Sequence, residues 1–165
     1  METKEWKFGW TDDTPGPWQS EPDKMQWEDP ETKLPCLILR NKHSGHLCGY
    51  VGVSKGHPYF EKTYSGGWED HTDPESRLDV HGGLTFSEFC ADNQEEGICH
   101  VPGEGEDDHV WWFGFDCAHH MDRSFFLAKD LPKSTMDIFA TGVYRDLEYV
   151  RQECTSLAKQ LKDIT

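Results

Sequence analysis

The sequence predicts an α+β fold: an antiparallel sheet of about four strands arranged as a meander, with one amphipathic C-terminal helix packed on it. Three observations carry this expectation. Four short apolar runs between residues 35 and 116 are bounded by turn-forming residues. One later segment, 143 to 162, places apolar residues three and four apart. The chain has 165 residues, a usual length for one domain with its own core.

Residues 1 to 34 are acidic and carry Trp6, Trp10, Trp18 and Trp27 among Pro15, Pro17, Pro22 and Pro30. The prolines interrupt any long element. This stretch reads as an irregular N-terminal arm whose rings pack on the body, and residues 35 to 165 read as a single α+β domain. Aromatics make up 13 % of the chain, enough large rings to expect a packed core rather than a disordered chain.

Pro35 to Arg40 is a short apolar run suited to a strand, and His46 to Val53 is a second. Asn41-Lys-His-Ser-Gly45 between them supplies turn residues, so the pair reads as a hairpin. Pro58 ends the second run and biases His57 toward extended backbone. A third strand is expected near 83 to 89. An acidic, Gly-rich loop follows over 90 to 108. His109 to Asp116 is the most apolar stretch and is expected to be a central strand. In the last helix Leu147, Val150, Cys154, Leu157, Ala158 and Leu161 form an apolar face. Asp137 or Thr141 is expected near its start, and Lys159 and Lys162 suit its negative end.

The formal charge is −15, which disfavours direct contact with nucleic acid phosphates. It suits solubility, a basic protein surface as partner, or a local carboxylate cluster holding a cation. No apolar leader segment follows the first Met and no apolar run is long enough to span a bilayer. The expected setting is therefore cytoplasmic, away from membranes, with the six cysteines reduced. No CxxC pair occurs, which argues against a zinc ribbon.

In a four-strand meander the second strand ends where the third begins, and the fourth ends there too. Three segments would then share one rim: Gly56-His57-Pro58, Asp79-Val-His81-Gly82-Gly83, and Asp116 to Asp122. His119 and Asp122 are three apart, so one turn places both on one face. Gly82 and Gly83 allow a sharp turn or close approach to a ligand. His57, Asp79, His81 and Asp116 are the candidate catalytic residues, with an imidazole as general base and a carboxylate orienting it. His81, Asp116, His119 and Asp122 form a candidate metal set whose imidazoles and carboxylates suit Zn²⁺, Mn²⁺ or Fe²⁺. Gly82, Gly83, Tyr59 and Trp112 are candidate ligand-binding residues. Cys117 is a candidate nucleophile only if exposed and easily ionised. Each of these residues also has an ordinary structural role open to it, as a turn cap, a loop hydrogen bond or a core side chain.

Four runs together resemble a family of small uncharacterised proteins encoded widely by bacteria and their phages. They are Trp27-Glu-Asp with Leu34-Pro-Cys-Leu-Ile, Cys48-Gly-Tyr-Val-Gly-Val with Gly56-His-Pro, Asp79-Val-His-Gly-Gly-Leu-Thr, and Trp111-Trp-Phe-Gly-Phe-Asp-Cys-Ala-His119 with Asp122. The resemblance covers roughly residues 18 to 161 and extends to the helix from Tyr144 to Glu153. It implies a bacterial host cytoplasm and no named activity. One departure stands out: His120-Met121 occupy positions where a small residue and Gly are expected. Two functions follow as expectations. The first is a hydrolase, metal-dependent or not, acting on a small phosphate- or amide-containing molecule. The second is a non-catalytic, acidic counter-defence protein that binds a nucleotide signal or blocks a host nucleic-acid-binding protein.

Overall fold

A computed structural model describes residues 1–64, 73–90, 97–106, 108–125 and 141–164. Six strands form one sheet: β1 (Lys4–Trp6), β2 (Lys24–Glu28), β3 (Pro35–Arg40), β4 (Leu47–Ser54), β5 (Phe86–Phe89) and β6 (Val110–Asp116). Among the described residues a 3-10 turn spans Pro17–Gln19, and two helices follow, α1 (Pro74–Arg77) and α2 (Leu147–Lys162). Every ladder is antiparallel, in the order β1-β2-β3-β4-β6-β5. Among the described residues no helix is long and apolar enough to cross a membrane.

The α+β class holds, but the sheet has six strands, not four. The two extra strands come from the segment expected to be an irregular arm. Lys24-Met-Gln-Trp-Glu28 alternates polar and apolar, the pattern of a strand with two different faces. Met25 and Trp27 join the main core, while Lys24 and Gln26 are wholly buried on the other face. That polar burial is satisfied. The Lys24 ammonium donates to the carbonyls of Gly97 and Cys99, and Gln26 exchanges hydrogen bonds with the backbone of Val101.

The order of the last two strands also departs from a meander. β6 lies between β4 and β5. It is buried along its whole length but for Asp116, with Trp111, Phe113 and Phe115 on one face and Val110 and Trp112 on the other. A strand apolar on both faces is stable only with neighbours and cover on each side. β5 has four residues and takes the edge. The connection from β4 to β5 therefore travels from one end of the sheet to the other.

α2 covers the face bearing Cys36, Ile38, Val51, Val53, Phe113 and Phe115. Its Val150, Cys154, Leu157, Ala158 and Leu161 are buried there, as the periodicity predicts. Gly49 permits the close approach: a Cβ at that position would overlap the Phe115 ring and lie 2.7 Å from Cys154 Sγ. The helix begins one turn later than expected. Asp146 is its cap, accepting from the Tyr149 N–H at 2.9 Å. Thr141 lies five residues before that cap, and Asp137 lies outside the described residues.

The arm is tied down by a buried ionic cluster. Arg40 donates to Asp23 (3.0 Å), Glu21 (3.1 Å) and the Tyr144 hydroxyl (2.9 Å). Glu21 also accepts from the Leu147 N–H at 2.8 Å, so it helps cap α2. Trp10 and Trp18 pack edge-on against Phe125. Four cysteines, Cys36, Cys48, Cys117 and Cys154, are free and buried. Cys90 and Cys99 instead form a disulfide, contrary to the expectation of six reduced thiols. Cys90 follows β5, and Cys99 lies on the strip that crosses the Lys24–Gln26 face, so the bond fastens that strip to the sheet edge.

Candidate functional site

Two of the three expected segments converge, and the third does not. Residues 78 to 84 run alongside α2, and the chain after β6 turns back beside them. β6 ends beside the start of β4, where Asp116 pairs with Cys48. His57 follows the opposite end of β4. Its Nε2 lies 2.9 Å from the carbonyl of Leu161, near the C-terminus of α2, while its Nδ1 accepts from the Tyr59 N–H at 3.0 Å. His81 contacts Tyr149 instead, twelve residues and about 18 Å earlier along that helix. His57 thus caps the far end of α2 and takes no part in the site. The cause is the β4 to β5 crossover, which reverses the end at which β5 begins.

The site itself is built on a tight turn. Gly83 N–H donates to the Val80 carbonyl at 3.0 Å, and Gly82 between them has φ 70°. A positive φ at the third position of such a turn is the conformation glycine supplies. Gly82 has a second role, because a Cβ there would enter the imidazole ring of His119. The turn therefore seats His119 directly over its own backbone. Gly83 also has a positive φ but faces open space.

His81 is held on three sides. Its Nε2 lies 2.6 Å from Asp122 Oδ2, its Nδ1 2.9 Å from the Tyr149 hydroxyl, and its N–H donates to Glu153 at 2.9 Å. Asp122 is almost wholly buried. Its Oδ2 also accepts the His119 N–H at 3.0 Å, and its Oδ1 accepts from Arg145 Nε at 2.9 Å. Burial alone would push this carboxyl up. The bonds from His81, Arg145 and the His119 N–H outweigh it and hold the carboxyl below the ordinary aspartate value. Burial pushes the neighbouring Tyr149 phenol up.

His119 and Asp122 do share one face. They are linked reciprocally, since the Asp122 N–H also donates to the His119 carbonyl at 3.0 Å. Met121 between them adopts φ 76°, a left-handed conformation, and points to solvent. His119 Nδ1 is buried without a hydrogen-bond partner, 3.7 Å from Asp122 and 3.6 Å from Asp116. His81, His119 and Asp122 place one ligand-type atom each within 4.8 Å of one another. Asp116, expected as a fourth member, lies outside that triad and accepts the Ala118 N–H as a turn cap at 3.0 Å.

Asp79 lies at the rim. Its backbone exchanges two hydrogen bonds with the Gln160 amide, at 2.7 and 2.8 Å. With Val80, His81, Tyr149, Glu153 and Ser156 it lines an open cleft of ≈ 270 Å³. Tyr59 and Trp112 do not reach it. Tyr59 is buried against Phe113 in the main core, and Trp112 is buried on the opposite face of the sheet. Cys117 is buried and its thiol is pushed up by that burial, which rules it out as a nucleophile.

Three residues of the site escape a reading of the sequence: Arg145, Tyr149 and Glu153. The signal was present for two of them, since Tyr149 and Glu153 are four apart and continue through Ser156 to Gln160 as one polar stripe along α2, while Arg145 lies just before the helix cap. A polar stripe on a helix ordinarily faces solvent, and only the strap at 78 to 84 makes this one a wall. Comparison with protein-family models, with curated proteins and with solved structures returned no match.

Proposed function

We propose that this cleft is the active site of a hydrolase acting on a small amide-containing molecule. The observation that supports it is the chain Tyr149–His81–Asp122, whose tyrosine end lines the cleft beside the Glu153 carboxylate. In this reading Glu153 accepts a proton from the attacking water. Tyr149 delivers a proton to the departing amine, and His81, anchored by Asp122, restores it. Arg145, with its guanidinium carbon 4.7 Å from the Tyr149 ring centroid, steadies both ends of the relay. Asp79 and Glu153 give the wall negative charge, which repels phosphate and narrows the expected substrates toward neutral or cationic amides. The bacterial or phage setting rests on the motif resemblance.

Turnover on panels of amides and phosphoesters tests the reading. Amide hydrolysis is expected, with kcat reduced on the order of 100-fold or more in Tyr149→Phe and the melting temperature little changed. No turnover on either panel would discard the hydrolase. The non-catalytic acidic binder, which the charge of −15 favours, would then be the better account.

A further inference from the structure

We infer that His81, His119 and Asp122 bind one divalent first-row transition metal ion, on the side of His81 that faces away from the Tyr149 hydroxyl. Two imidazoles and one carboxylate are a donor set suited to zinc, cobalt or iron, and three protein ligands leave a position for water.

The geometry supports this in four ways. The three donor atoms already lie within 4.8 Å of one another, although they come from two segments about forty residues apart. His119 Nδ1 is buried with no hydrogen-bond partner and faces the Asp116 and Asp122 carboxylates at 3.6 and 3.7 Å, so no hydrogen bond must break for it to ligate. Gly82 holds the ring in place, since any side chain there would displace it. The outer partners are also present. Arg145 occupies Asp122 Oδ1, so that Oδ2, which keeps the His119 N–H, has a lone pair for an ion once His81 Nε2 no longer donates to it, while the Tyr149 hydroxyl can accept a hydrogen bond from His81 Nδ1–H and leave the Nε2 lone pair outward.

The adjustment required is at most about 1.5 Å at any pair of donors, since all three lie within 4.8 Å of one another. Two tetrahedral ligands of zinc sit about 3.3 Å apart. His119 Nδ1 and Asp122 Oδ2 are 3.7 Å apart, close to that value. His81 Nε2 and Asp122 Oδ2 are 2.6 Å apart, hydrogen-bonded, and must part by less than about 1 Å. A tilt of the His81 ring accomplishes this. The ring changes tautomer, Nε2 giving its proton to solvent as Nδ1 takes one up, and Nδ1–H then donates to the Tyr149 oxygen. In that state the Tyr149 O–H is released toward the cleft.

Titration of the purified full chain with Co²⁺ alone, followed by visible absorption and by calorimetry, tests the inference without reference to any substrate. One ion should bind per chain with d–d bands of low coordination number, and Zn²⁺ should displace it. His119→Ala removes a ligand but no side-chain hydrogen bond, so the fold should persist, with affinity reduced on the order of 100-fold. His120→Ala, one residue away and exposed, should leave binding unchanged. Absence of binding, or binding that survives His119→Ala, overturns the inference. Either result leaves the amide hydrolase standing or falling on its own turnover assay.

Discussion

Met121 is one of three non-glycine residues, with Lys33 and Glu61, that adopt a positive φ among the described residues. It is exposed, yet its φ of 76° places it in the left-handed region, where a Cβ costs about 1–2 kcal/mol. The strain persists because both sides are fixed. The Val143 N–H donates to its carbonyl at 2.7 Å, and the next residue, Asp122, is anchored by His81 and Arg145. Met121→Gly is expected to raise stability by about 0.5–1 kcal/mol, the strain relieved less the added freedom of the unfolded chain. Urea unfolding measures it, and a loss of stability would contradict the stored strain. The His119–Asp122 pair was legible because its geometry rests on residues three apart, whereas His81 is held by Asp122, Tyr149 and Glu153, some forty to seventy residues away. Asp116 fits its ordinary role as a turn cap, which the sequence could not separate from a ligand role.

At the scale of elements, α2 serves two surfaces at once. One stripe fills the core above the sheet, and the other, Tyr149, Glu153 and Ser156, walls the cleft. The spacing of the helix at the sheet is set by Gly49. Gly49→Ala is expected to cost about 1–3 kcal/mol, because the new methyl meets Phe115 and Cys154 in a filled interior. Adding Cys154→Ala should recover part of that loss, and a double-mutant cycle in urea would show the coupling. Strictly additive effects would mean that the helix sits elsewhere. The core stripe was readable from its period. The cleft stripe was not, because its partner is a strap some seventy residues earlier, and nothing local announces that contact. The N-terminal strand β2 was not readable either. Its five-residue alternation, Lys24-Met-Gln-Trp-Glu28, is too short to stand out between Pro22 and Pro30, and its polar members are held by buried carbonyls over seventy residues away.

The molecule as a whole is held together by contacts between distant parts of the sequence. The Arg40 cluster joins the N-terminal segment, the β3 end and the start of α2. Arg40→Met should cost about 3–5 kcal/mol, since Glu21 and Asp23 would remain buried and charged without a counterion. A shift of the urea midpoint well below that range would mean water reaches the pair. Strand order is the property least legible from sequence, and His57 shows why. Both β5 and β6 are plausible neighbours of β4, and only burial on both faces assigns the inner place to β6. That assignment has a consequence during synthesis. As the chain leaves the ribosome, β4 is complete while the strand that must sit beside it is still some fifty residues from emerging. Its hydrogen-bonding edge stands open over that interval, an invitation to pairing with another nascent copy. Fragments ending before residue 110 should accordingly be aggregation-prone, whereas chains extended through β6 should not.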